Sequence, residues 1–291
     1  MLRVTIDAFS GRANPETYLD DKESTELLKE IARERNVVTA VEAGEQGLGF
    51  RGVIIEAVDD DTVHRYDLPT TFKLAGGASH NEKKAQELAE RLIKKVTSAP
   101  QPSGLTLGSQ VETQLLELLA ASPAHEHHGE LDGEQAAVSP SATCAIELGA
   151  FNPGFWNASA YMGRNNCYNY ASNKRTNTFA QPGRGSGHMY TGISCPAVTT
   201  AALSDRLHRR FDCFPDAQKP RWLVALVMAP GYDYHWYRKQ KEGFWGHKPG
   251  GTAARNVDNN GSVILNPETC ARGPYTQFCG YFYVPGNQLI S

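Results

Sequence analysis

From Tyr234 to His247 the chain reads Tyr-His-Trp-Tyr-Arg-Lys-Gln-Lys-Glu-Gly-Phe-Trp-Gly-His. This stretch constrains the fold more than any other. Aromatic residues on both sides of a short polar turn containing Gly243 predict a β-hairpin of two antiparallel strands. His235 opens the first strand and His247 closes the second, twelve residues later. A symmetric hairpin makes the two imidazoles approximate cross-strand neighbours near its open end. One ring can then orient the other.

Upstream, Asn165-Asn166-Cys167-Tyr168-Asn169-Tyr170-Ala171 puts a cysteine where a helix can begin. A helix N-terminus and a nearby imidazole both lower a thiol pKa. Cysteine first, histidine second and a polar orienting residue third is the order of a thiol nucleophile, its base and its orienter. Cys167 is therefore the candidate nucleophile, His235 the general base and His247 the orienter. Asp258 is the rival orienter, because a carboxylate fixes an imidazole tautomer well. Asn166, Tyr168, Trp236 and Trp245 are candidate substrate contacts, and Arg238 a candidate partner for a substrate carboxylate. The bland alternative is a buried cysteine, a cross-strand structural histidine and core aromatics. The catalytic reading requires the sulfur of residue 167 to lie within reach of the imidazole of residue 235, in an open groove.

The string His235-Trp-Tyr-Arg…Gly243-Phe-Trp-Gly-His247 resembles the NlpC/P60 pattern, in which a histidine opens one strand and a second histidine about a dozen residues on ends an aromatic strand. Asn166-Cys167-Tyr168 matches the position of that family's nucleophile, at a helix start upstream. The resemblance covers roughly residues 160–250. It implies a papain-like fold and amide hydrolysis by Cys167, His235 and His247 without a cofactor. It also implies a peptide or peptidoglycan-like substrate. Relatives in the wider superfamily transfer acyl groups instead.

With 291 residues, 40% apolar and 21% charged, the chain is long and apolar enough for two globular domains. Residues 1–141 carry a balance of −10 and residues 142–291 one of +7. A basic second half attracts an acidic partner or docks on the acidic first half. Nothing in the pattern points to nucleic acid, and no apolar run approaches the length of a membrane span. Asp7 interrupts the place of a signal peptide's apolar core, so the expected location is cytoplasmic, or exported by a route that needs no such signal. All six cysteines lie in the second half, none in a CxxC pair, which argues against a zinc ribbon. Their low density favours reduced thiols. The alternative is four bridged and two free, in a non-enzymatic, disulfide-stapled binding module.

In order, the pattern predicts a small α+β domain over 1–98 that runs strand, helix, strand, strand, helix. The strands fall at 2–8, 48–58 and 62–73 and the helices at 21–34 and 81–97, the second capped by Asn81. A linker follows over 99–142, with a short helix at 110–121. It contains His125-Glu126-His127-His128, which reads as a solvated histidine-rich segment rather than a metal site. The domain over 143–291 is expected to be papain-like, with a helical front half and then an antiparallel sheet whose strands include 221–228, 262–266 and 275–284. The whole chain is thus α+β.

Overall fold

The computed structural model describes residues 1–41, 47–59, 63–79, 82–101, 107–121, 144–210 and 213–291. The chain is mixed α+β and divides into two compact units, residues 1–122 and 123–291.

The first unit is built on a five-stranded antiparallel sheet, in the order β2-β1-β4-β5-β3. Its strands are β1 (Leu2–Asp7), β2 (Glu16–Leu19), β3 (Val38–Thr39), β4 (Gly52–Ala57) and β5 (Thr71–Leu74). Helix α1 (Asp21–Arg33) starts at a capping box between Asp20 and Glu23 and buries Leu27, Leu28 and Ile31. Helix α2 (Lys83–Ser98) buries Leu88, Leu92, Ile93 and Val96. Asn81, expected to cap it, lies outside the described residues, as do His125 to His128. Of the stretch 62–73, only Thr71 onward is strand. Pro69 cannot donate to a ladder, and the chain ahead of it turns at Val63 to Asp67 instead. Helix α3 (Ser109–Ala120), expected in a linker, buries Val111, Leu115 and Leu119. It packs on α2 and belongs to the first unit.

The second unit opens with short helices: α4 (Pro153–Asn157), α5 (Ser159–Met162), α6 (Cys167–Ser172) and α7 (Cys195–Ser204). A second five-stranded antiparallel sheet follows, in the order β6-β10-β7-β8-β9. Its strands are β6 (His208–Arg209), β7 (Trp222–Ala229), β8 (Asp233–Lys239), β9 (Trp245–His247) and β10 (Gln277–Val284). Residues 262–266 are not a strand and contribute only an isolated bridge, Val257 to Val263. One core gathers Val224, Leu226, Met228, Tyr234, Trp236, Phe282 and Val284 from the sheet with Cys167, Tyr168 and Ala171 from α6 and Val198 and Ala202 from α7. Two disulfides clamp this unit, Cys144–Cys213 and Cys195–Cys279, and leave Cys167 and Cys270 free. The expectation of mainly reduced cysteines is thereby corrected.

Candidate active site

Cys167 is the first residue of α6. The helix starts there because the Asn166 side chain accepts from the amides of Tyr168 and Asn169, while the Asn169 side chain accepts from the Asn166 amide. This reciprocal cap satisfies donors that a helix start leaves open. Asn173, in the left-handed conformation, ends the helix after six residues. α6 lies against β8, and the backbone amide of Trp236 is near enough to the Cys167 sulfur to oppose the rise of its thiol pKa. Cys167 packs with Tyr234 and Trp236 of β8, whereas the His235 ring meets Tyr237, His247 and Tyr275. Successive strand side chains point to opposite faces, so the sulfur and the candidate base lie on opposite faces of β8.

The hairpin forms as its aromatic pattern predicts. β8 and β9 pair antiparallel, with His247 opposite Tyr237. His235 and His247 therefore stand on one face, two residues apart in register, and the His235 Nε2 lies 2.9 Å from the His247 Nδ1. His247 Nε2 lies 2.9 Å from the Val257 carbonyl oxygen. A carbonyl only accepts, so His247 carries its proton on Nε2. Its Nδ1 then accepts from His235 Nε2–H, which makes Nδ1 the lone-pair nitrogen of His235. The Arg255 Nε, 3.4 Å from His247 Nε2, is too distant to compete with that carbonyl bond. The tautomer is the one a base needs.

Cys167, His235 and His247 are all fully buried. Burial pushes the Cys167 thiol well above its ordinary value and Asp233 adds to this, while the Trp236 amide and the Lys248 ammonium pull the other way. The expected lowering by a helix N-terminus is thus reversed, because desolvation of a thiolate outweighs a partial charge at the end of a short helix. The open groove that the catalytic reading calls for is not present around these three side chains. Among the described residues, no group of three or more His, Cys, Asp or Glu side chains is placed to hold a metal ion.

Burial, followed by the nearby Arg255 charge, pulls His247 down to about 3. The unfolded chain takes up a proton near pH 6.5, whereas folded His247 does not until about pH 3. Between these values the unfolded state binds more protons, so stability falls as pH falls. The loss is about 1.4 kcal/mol per pH unit from this residue alone. Urea midpoints read from Trp fluorescence at pH 7 and pH 5 are expected to differ more in the wild type than in His247→Asn. Equal pH dependence in both would refute the assignment.

The other candidates are committed to the fold. Asp258 accepts from the amides of Asn260, Ser262 and Ala271, so it organises its own loop, and the partners found for His247 do not include it. Asn166 is the helix cap and also donates to the Ala180 carbonyl at 2.7 Å. The Tyr168 hydroxyl donates to Asp205 at 2.9 Å. Trp236 packs between Tyr168 and Phe282. Trp245 is buried and stacks near Tyr281. Arg238 is buried, donates to the Tyr170 carbonyl at 2.8 Å and lies over the Tyr170 ring. None of these five offers a surface to a substrate in this conformation. Cys195, at the start of α7, is bridged to Cys279 and offers no free thiol. The Trp236 amide, the Val257 carbonyl and Asp205 carry no sequence signal for their roles.

No family model matches the chain, and no solved structure matches it. A stretch of 134 residues, 46% of the chain, is 48% identical to insoluble matrix shell protein 1 of Ruditapes philippinarum and covers 88% of that protein. The chain belongs to the family of that shell protein. The membership places no catalytic residue by itself.

Proposed function

We propose that the second unit is a cysteine hydrolase of peptide or isopeptide amide bonds, as its likeness to the NlpC/P60 pattern implies. Cys167 is the nucleophile, His235 the base and His247 the orienter. One observation carries this: the helix that begins at Cys167 packs on β8, the strand that carries His235, while His235 is held by His247 in the tautomer that leaves Nδ1 as acceptor. In the reaction, the sulfur bonds to the substrate carbonyl carbon as its proton passes to His235. That proton then goes to the departing amine as the C–N bond breaks. Water, deprotonated by His235, cleaves the thioester and returns the thiol. Because burial disfavours a standing thiolate, deprotonation falls to His235 during attack rather than to the helix end. Substrate entry requires the cover over Cys167 to move, and proton transfer requires the sulfur and the His235 imidazole, on opposite faces of β8, to be brought together.

A second reading is favoured by the complete burial of all three side chains and by the two bridges. In it the unit is a non-enzymatic, disulfide-clamped module that serves in an insoluble matrix, as the name of its shell relative suggests.

The two free thiols discriminate. Cys270 is partly exposed and pushed up to about 11, chiefly by burial, while Cys167 is sealed. Iodoacetamide at pH 6, on oxidised protein read by peptide mass spectrometry, is expected to alkylate Cys167 at least tenfold faster than Cys270 if His235 serves it. Labelling of Cys270 first, with Cys167 reacting only on unfolding, supports the matrix module instead.

A further inference from the structure

Lys248 follows His247 in the chain and is fully buried. Its ammonium donates to the carbonyls of Met162 at 2.6 Å, Asn165 at 2.5 Å and Gly250 at 2.8 Å. These bonds hold the head group between the two segments it touches. Met162 and Asn165 belong to the segment that runs from α5 into Cys167, and Gly250 belongs to the turn after β9. The two segments touch backbone to backbone: a Cβ added at Gly251 would stand 3.4 Å from the Gly163 Cα. A buried ammonium is costly to desolvate, and a neutral side chain of similar length would fill the same space without that cost. The charge therefore calls for a role beyond filling.

We infer that Lys248 is a positioning residue for the thiol chemistry: it ties the segment leading into Cys167 to the strand end that carries His247, and it sets a fixed positive charge beside the nucleophile. The inference rests on the hydrolase reading. The bond to the Asn165 carbonyl sets the Lys248 ammonium two residues ahead of Cys167, and the ammonium opposes the upward push on the thiol from burial and from Asp233. Arginine would keep the charge, but its planar fork cannot reproduce three carbonyl bonds from one point.

The test is the pH profile of iodoacetamide labelling at Cys167 in full-length, oxidised protein, compared across wild type, Lys248→Met and Lys248→Arg. Loss of the charge in the Met variant is expected to raise the apparent labelling pKa by about one unit and to slow labelling at pH 6 about tenfold. The Arg variant is expected to stay within a few tenths of a unit of the wild type. A Met variant with the wild-type pKa, or one that labels faster at pH 6, would mean that Lys248 is only a strap and overturns the inference. If Lys248→Met does not fold, as judged by Trp fluorescence, the Arg variant decides, and an upward shift of about a unit there overturns it. A wild-type Cys167 slower than Cys270 at every pH defeats the hydrolase reading itself. That outcome differs from a failure of Lys248 within a reactive wild type.

Discussion

On the hydrolase proposal, replacing Cys167 with alanine is expected to remove amide hydrolysis altogether, and His235→Ala to leave between about one part in a hundred and one part in ten thousand of it. The ordering follows from the roles proposed for the three side chains. The sulfur forms the covalent bond, so no neighbouring group replaces it: Cys270, the other free thiol, sits instead beside Tyr237 and Pro267. His235 moves the proton both ways, and its loss removes the base and the acid together. His247→Ala should cost less in rate, about ten- to a hundredfold, because it acts on tautomer and orientation. It should cost more in stability, since it empties a fully buried site on a strand. A panel of fluorogenic peptide and isopeptide amides, with kcat and KM measured for each variant, checks the order. Activity in Cys167→Ala equal to the wild type would place the chemistry elsewhere. A His247 effect as large as that of His235 would make His247 a proton carrier rather than an orienter.

The parts of this site that were legible from sequence are those made by local pattern. The aromatic strands about Gly243 gave the hairpin, and the hairpin gave the histidine pair. Asn166 and Asn169, spaced for a reciprocal cap, announced the helix start at Cys167. What was hidden depends on coverage. β7 and β8 are buried on both faces over most of their length, so neither strand shows the alternation that separates a core face from an open one. Trp236 and Arg238 therefore looked available to a substrate and are core residues. The same coverage sealed Cys167 and reversed the direction of its thiol pKa. Asp258 was a plausible orienter by type, but its carboxylate is taken by two amides of its own turn and by that of Ala271, thirteen residues on, which only the folded loop reveals. The Val257 carbonyl, which fixes the histidine tautomer, is backbone and has no residue type to announce it. In the first unit, the apolar stripes of α1 and α2 were read correctly because one face of each helix is open to solvent. The helix at Ser109–Ala120 was assigned to a linker because its flanks are rich in Pro, Ser and Gly, although its own stripe of Val111, Leu115 and Leu119 is a core stripe.

Reducing the two bridges is expected to lower the melting temperature of the second unit by roughly 10–25 °C, the largest stability effect foreseen for this chain. Cys144–Cys213 closes a separation of 69 residues and Cys195–Cys279 one of 84. On the chain-entropy view each contributes about 4 kcal/mol, against a total of about 5–15 kcal/mol for an ordinary domain. The two loops overlap, because Cys195 lies between Cys144 and Cys213, so the joint effect falls short of the sum. A loss of about 4–8 kcal/mol corresponds to a fall of roughly 10–25 °C in Tm for a domain of this size. All four tryptophans lie in the second unit, so their fluorescence reports this melt, measured with and without a phosphine reductant. A shift below about 5 °C would show that the core alone holds the fold. The paired variant Cys195→Ala with Cys279→Ala is expected to be the more damaging of the two single-bridge losses: that bridge joins the first residue of α7 to β10, within the core that also houses Cys167. The consequence reaches the chemistry. Thiol enzymes are ordinarily assayed with reductant, but here reductant opens the clamps that hold the core around the nucleophile. Reactivity at Cys167 is therefore expected to be highest in oxidised protein and to fall as the bridges open. A buried structural thiol shows the reverse, reacting only once they are gone.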